Sequence, residues 1–140
     1  MRCAFDLRID ELPADANVFT LTINAYPPPS SKLSGWQVDL VFSPRGGFIS
    51  AQEYATALDT SVTKNNVTVA GPPIIGKLYH VGMTYDSAGT ASLDLSGTVA
   101  SGSTVFPASP TAVSVLFRLA PDIPSSNSRL LLDNFVCDAL

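Results

Sequence analysis

Few side chains in this 140-residue chain could do chemistry: one histidine (His80), two cysteines (Cys3 and Cys137) and twelve carboxylates. Nucleophilic hydrolysis would have to use His80 as its base. No Gly-x-Ser-x-Gly elbow or similar nucleophile setting accompanies it. His80 alternates with apolar Tyr79, Val81 and Met83, which reads as a surface histidine on a strand. Glycoside hydrolysis needs two carboxylates held across one bond. The acids Asp6, Asp10, Glu11, Asp15, Asp39, Glu53, Asp59, Asp86, Asp94, Asp122, Asp133 and Asp138 are instead spread over expected turns and outward strand positions. Two distant cysteines and one histidine do not make a zinc site. Asp10, Glu11 and Asp15 share a loop, and Asp133 and Asp138 bracket the last strand, but neither set has the ligand density of a calcium loop. No glycine-rich turn precedes a helix to cradle phosphate. The expectation is a non-catalytic chain with no cofactor and no metal of its own.

The elements that must position these residues are strands. Short runs rich in Val, Ile, Leu, Thr and aromatics alternate with Pro, Gly, Ser and Asn punctuation, the pattern of a sandwich or barrel. Strands are predicted over residues 3–9, 18–25, 35–42, 47–50, 58–63, 66–70, 77–85, 91–99, 112–119 and 129–136. Period-two alternation puts Phe19, Leu21 and Ile23 on one face, and Trp36, Val38 and Leu40 likewise, as suits antiparallel sheets with one buried side. Leu130-Leu131-Leu132 is apolar on both faces and predicts a strand covered on both sides, or paired with something. Ser50-Ala51-Gln52-Glu53 has the form of a capping box and predicts a short helix running to Leu58, with an irregular crossover as the alternative. The fold class expected is all-β, an antiparallel jelly-roll sandwich of about nine strands in one domain, 1–140.

Composition narrows the partners. Charged residues are 14% of the chain and the net charge is −4. The cations Arg2, Arg8, Lys32, Arg45, Lys64, Lys77, Arg118 and Arg129 are scattered singly, so nucleic acid is not an expected partner. No apolar run is long enough for a membrane helix, so membrane insertion is not expected. A surface of Ser, Thr, Asn and Gly suits a secreted or cell-surface protein. The opening residues lack the apolar stretch of a signal peptide, so a signal would have been removed or the piece cut from a longer chain. First and last strands of a sandwich often lie side by side, which allows Cys3 and Cys137 to form a disulfide; two buried thiols are the alternative. Asn66-Val67-Thr68 has the form of an N-glycosylation sequon, a triplet that also arises by chance.

The stretch Leu33-Ser34-Gly35-Trp36-Gln37-Val38-Asp39-Leu40-Val41-Phe42-Ser43-Pro44 resembles the third strand of cohesin domains. Ala14-Asp15-Ala16-Asn17 leading into residues 18–24 resembles their second strand and its turn. Residues 112–119 and 128–134 resemble their last two strands. Ser43 stands where the family pattern has Asp, and residues 52–76 match no part of it. The resemblance implies a docking module that captures a dockerin-type partner, with calcium held by that partner. The family's docking face, carried over by position, implies partner contacts at Gln37 and Asp39, at Leu78 and His80, and at Ser114, Leu116 and Arg118.

Family 2 carbohydrate-binding modules offer a second resemblance, through the Gly35-Trp36 strand, Asn65-Asn66-Val67-Thr68-Val69 and the terminal cysteines. It implies binding of a polysaccharide on exposed aromatics. Trp36 is the single tryptophan and alternates inward, and Ile74 stands where that family places a later platform tryptophan. Tyr26, Tyr54, Tyr79 and Tyr85 are the remaining stacking candidates. A third expectation, a structural subunit of an extracellular fibre or wall, follows from the low charge and all-β build.

Overall fold

The computed structural model describes residues 1–11, 19–43, 46–107, 109–118 and 129–138, with only the backbone described at 19–20 and 115–118. Ten strands are present: β1 (Arg2–Glu11), β2 (Phe19–Tyr26), β3 (Leu33–Ser43), β4 (Phe48–Ala57), β5 (Val62–Ala70), β6 (Leu78–Tyr85), β7 (Thr90–Leu95), β8 (Thr98–Ser103), β9 (Ala112–Arg118) and β10 (Arg129–Asp138). They form two five-stranded sheets, β10-β1-β6-β7-β8 and β5-β4-β3-β2-β9, in which neighbouring strands are antiparallel. The all-β sandwich expected from the alternation is what the chain forms. No helix long and apolar enough to cross a membrane occurs among the described residues.

The inward residues of both sheets make one core. Phe5, Leu7, Ile9, Val81, Met83, Tyr85, Leu93 and Leu95 of one sheet meet Leu21, Ile23, Trp36, Val38, Leu40, Phe42, Ile49 and Ala51 of the other. Trp36 is buried, edge-on to both Tyr85 and Phe106, with ring centroids at 5.1 and 4.9 Å. Cys3 and Cys137 face each other across the β1–β10 pair and are joined as a disulfide. That bond ties the first strand to the last and closes almost the whole chain into one loop.

Three local expectations are corrected. Ser50-Ala51-Gln52-Glu53 begins no helix; it lies within β4, where pairing with β3 and β5 on both sides outweighs a local cap. Residues 58–61 turn rather than extend: Thr60 has φ 71°, and the amide of Ala57 bonds the carbonyl of Ser61. Residues 91–99 divide into β7 and β8 around a hairpin turn in which Ser96 and Gly97 both take positive φ. In β10 the expected double cover holds on one side. Leu130 and Leu132 pack against the core, whereas Leu131 is 49% exposed. A bulge sets Asn134 and Phe135 opposite Phe5, with Asn134 at φ 55°.

Candidate functional site: the outer face of the β5-β4-β3-β2-β9 sheet

Because strand side chains alternate, β3 buries Trp36, Val38 and Leu40 and turns Gly35, Gln37 and Asp39 outward. The register then lines up cross-strand rows on this outer face. One row runs Asn66, Gln52, Asp39, Thr22 and the backbone position of Leu116. The next runs Lys64, Tyr54, Gln37, Asn24 and Ser114. Thr56 and Gly35 pair in a third row, and Tyr26 is the next outward residue of β2 beyond Asn24.

These rows are cross-linked through their side chains. Asp39 Oδ1 accepts from Thr22 Oγ1 at 2.7 Å and from Gln37 Nε2 at 2.8 Å. Tyr54 donates its hydroxyl to Gln52 Oε1 at 3.0 Å. The Lys64 ammonium stands 5.5 Å from the centre of the Tyr54 ring. The half-buried Asn24 amide makes no side-chain hydrogen bond to a described residue. Asn24, Tyr26, Ser34, Gly35, Gln37, Tyr54 and Thr56 line a shallow depression of about 190 Å³. A second depression, reached by Gln52, Tyr54, Lys64 and Asn66, shares Tyr54 with the first.

The seven carried-over contact residues do not form one surface. Gln37, Asp39 and Ser114, with the backbone positions of Leu116 and Arg118, lie on this face. The side chains of Leu116 and Arg118 lie outside the described residues. Leu78 and His80 lie in β6, on the outer face of the opposite sheet. There Leu78 is 51% exposed, and His80 Nδ1 bonds the carboxylate of Asp6, whose other oxygen accepts from Asn134 Nδ2 at 2.6 Å. The Asn134 amide, and secondarily His80, hold the Asp6 carboxyl below its ordinary value.

Of the four tyrosines only Tyr26 and Tyr54 reach the polar face; Tyr79 and Tyr85 belong to the core. Asn66 is exposed on β5, at one end of the first row. The loop carrying Asp15, the Ala14–Asn17 turn and Asp122 lie outside the described residues. Among the described residues no group of three or more His, Cys, Asp or Glu is arranged to hold a metal ion.

One acid departs from its expected outward position. Glu53 points into the sandwich, 2% exposed, and its carboxylate receives Trp36 Nε1, Thr104 Oγ1, the Val105 amide at 3.0 Å and Asn65 Nδ2 at 2.6 Å. The alternation of β4 could have revealed it, since Glu53 falls in phase with Ile49, Ala51 and Ala55. Four donors around a buried carboxylate fasten β4 to β3, β5 and the segment after β8. With its oxygens taken by these donors, Glu53 serves as a fastening between strands.

Compared with known proteins, the chain matches no family model and no curated sequence.

Proposed function

We propose that this chain is a non-catalytic extracellular binding module that engages polysaccharide through the outer face of the β5-β4-β3-β2-β9 sheet. One observation carries the reading: Asn66, Gln52, Gln37, Asn24, Thr56 and Ser114 stand in register on one face with Tyr26 and Tyr54. Amides and hydroxyls read the hydroxyl groups of a sugar, and tyrosine rings cover its C–H faces while keeping a polar edge in water. Side-chain bonds within the rows hold several of these groups in place before a ligand arrives, which lowers the entropy cost of binding. The disulfide is compatible with an oxidising compartment, where such a ligand would be met. Affinity electrophoresis through gels containing soluble neutral glycans tests the reading. Retarded migration in at least one gel is expected, and unretarded migration through a broad panel rejects it.

A second reading is protein docking, with a dockerin-type partner that holds its own calcium. It is favoured by the placement of Gln37 and Asp39 in β3 and of Ser114, Leu116 and Arg118 in β9, the two strands that flank β2 in one sheet. Capture of a partner from the secreted fraction, lost on calcium chelation and weakened by Asp39→Ala or Leu116→Ala, would support it. Unchanged capture in both variants rejects this face as the docking surface.

A further inference from the structure

Gly35 leaves a gap in a row otherwise filled by side chains. It pairs with Thr56, and a Cβ added to it would meet nothing within 4 Å. Tyr26, 53% exposed, borders the gap on one side and Tyr54 on the other, and both line the same depression. Two strand spacings and a two-residue offset separate the two tyrosine backbones by about 12 Å, a span suited to a short saccharide. Between them the Asn24 amide and the side-chain carbonyl oxygen of Gln37, neither bonded to a described residue, line the depression as hydrogen-bonding groups for hydroxyls.

We infer that the Tyr26–Gly35–Tyr54 depression is a saccharide subsite that takes a neutral pyranose chain, one ring resting over Gly35 and the chain running towards Asn66. This inference rests on the polysaccharide reading above and assigns its subsite and charge class. The neutrality follows from the residues present. Asp39, beside Gln37, and Glu53, which lines the second depression, disfavour acidic sugars, and the Lys64 ammonium already stands over the Tyr54 ring. Lys64 is the one cation lining either depression among the described residues, too few to offset a row of uronates or sulfates. The direction follows from the second depression, which continues the first past Tyr54 through Gln52 to Asn66.

Gly35→Leu fills the gap without a backbone penalty, since Gly35 has no positive φ and its added side chain enters open space. The intact chain and this variant are titrated with neutral cello-, xylo- and manno-oligosaccharides and with oligogalacturonate, with thermal unfolding as the control for folding. Tyr26→Ala serves as a second variant that removes rather than adds bulk. Binding of a neutral oligosaccharide by the wild type, weakened at least tenfold in both variants at unchanged melting temperature, is the expected result. Neutral-glycan binding unaffected by either variant overturns the subsite but leaves the polysaccharide reading standing. Binding of oligogalacturonate alone overturns the charge class. Failure of the wild type to bind any glycan overturns both readings.

Discussion

Glu53 receives the indole N–H of Trp36 inside the sandwich, so the most buried carboxylate among the described residues is held by the chain's single tryptophan. The two residues sit on adjacent strands, β4 and β3, two residues out of direct opposition, Glu53 pairing with Val38 and Trp36 with Ala55. Thr104 and Val105 add donors from the segment that leaves β8 in the opposite sheet. A buried charge thereby becomes a cross-sheet fastening, tolerated because donors surround it.

Glu53→Ala should therefore be among the most damaging single substitutions. It strands the Trp36 indole, the Thr104 hydroxyl, the Val105 amide and the Asn65 amide, at a cost of roughly 1–3 kcal/mol for each donor left dry. Glu53→Gln preserves shape and part of the bonding and should lose well under half as much. Urea unfolding followed by tryptophan fluorescence measures both, because Trp36 is the reporter. Equal stability of Glu53→Ala and wild type would contradict this role.

Tyr85 lies against Trp36 and its hydroxyl is buried with no hydrogen-bond partner among the described residues. Burial, with the nearby Glu53 charge second, pushes its phenol above the ordinary tyrosine value. Tyr85→Phe should be neutral or stabilising by about 1 kcal/mol, since it removes a desolvated hydroxyl and keeps the ring. In an alkaline titration of tyrosine absorbance, one ring should ionise only as the protein unfolds, and that step should be missing in the variant.

Reducing the disulfide, or replacing both Cys3 and Cys137 with serine, should lower stability by about 4–5 kcal/mol on loop-closure entropy. For a domain of this size that corresponds to a melting temperature lower by roughly 10–20 °C. Calorimetry with and without reductant reads the shift. A shift of only a degree or two would contradict the loop-closure account of the bond's contribution.

Acid should weaken the fold through Asp6 and Asp10. Asn134 and then His80 lower the Asp6 carboxyl, and Arg8 chiefly lowers that of Asp10, to which it bonds at 2.7 Å. A carboxyl lower in the folded than in the unfolded chain stabilises the fold above its unfolded value, about 3.9, and that stability is lost as pH falls through the folded value. Urea midpoints should thus fall steadily below about pH 4. Asp6→Asn should flatten part of that slope while changing little near neutrality in the slope itself. An unchanged acid slope in Asp6→Asn would remove Asp6 from the account.

Much of the fold was legible in the residues because β-structure writes a period of two. Phe19-Thr20-Leu21-Thr22-Ile23 and Trp36-Gln37-Val38-Asp39-Leu40 alternate as strands with one dry face, and the structure buries Leu21, Ile23, Trp36, Val38 and Leu40. Breakers such as Asp86-Ser87-Ala88-Gly89 fall between strands, where Gly89 takes φ 97°. Strand order made a Cys3–Cys137 disulfide plausible beside the alternative of two buried thiols, and the structure joins the two. What misled was local chemistry with a tertiary answer. Ser50-Ala51-Gln52-Glu53 carries a helix-start pattern, yet β3 and β5 flank it and donors 12 to 52 residues away claim its carboxylate.

The sequence by itself determined that the chain is a β-sandwich with Trp36 inside, polar residues outside and its ends close enough to be joined. Which outward residues stand beside one another was decided only by the tertiary structure. Gln37 and His80 both point outward from their strands, but β3 and β6 belong to opposite sheets, so their side chains leave the molecule on opposite sides. Tyr26, Gly35 and Tyr54 come from three strands and meet through register alone. Alternation is a property of one strand and is written in its residues. Register and sheet membership are properties of pairs of strands distant in the chain, settled by which whole arrangement buries the most apolar surface and leaves the fewest donors dry.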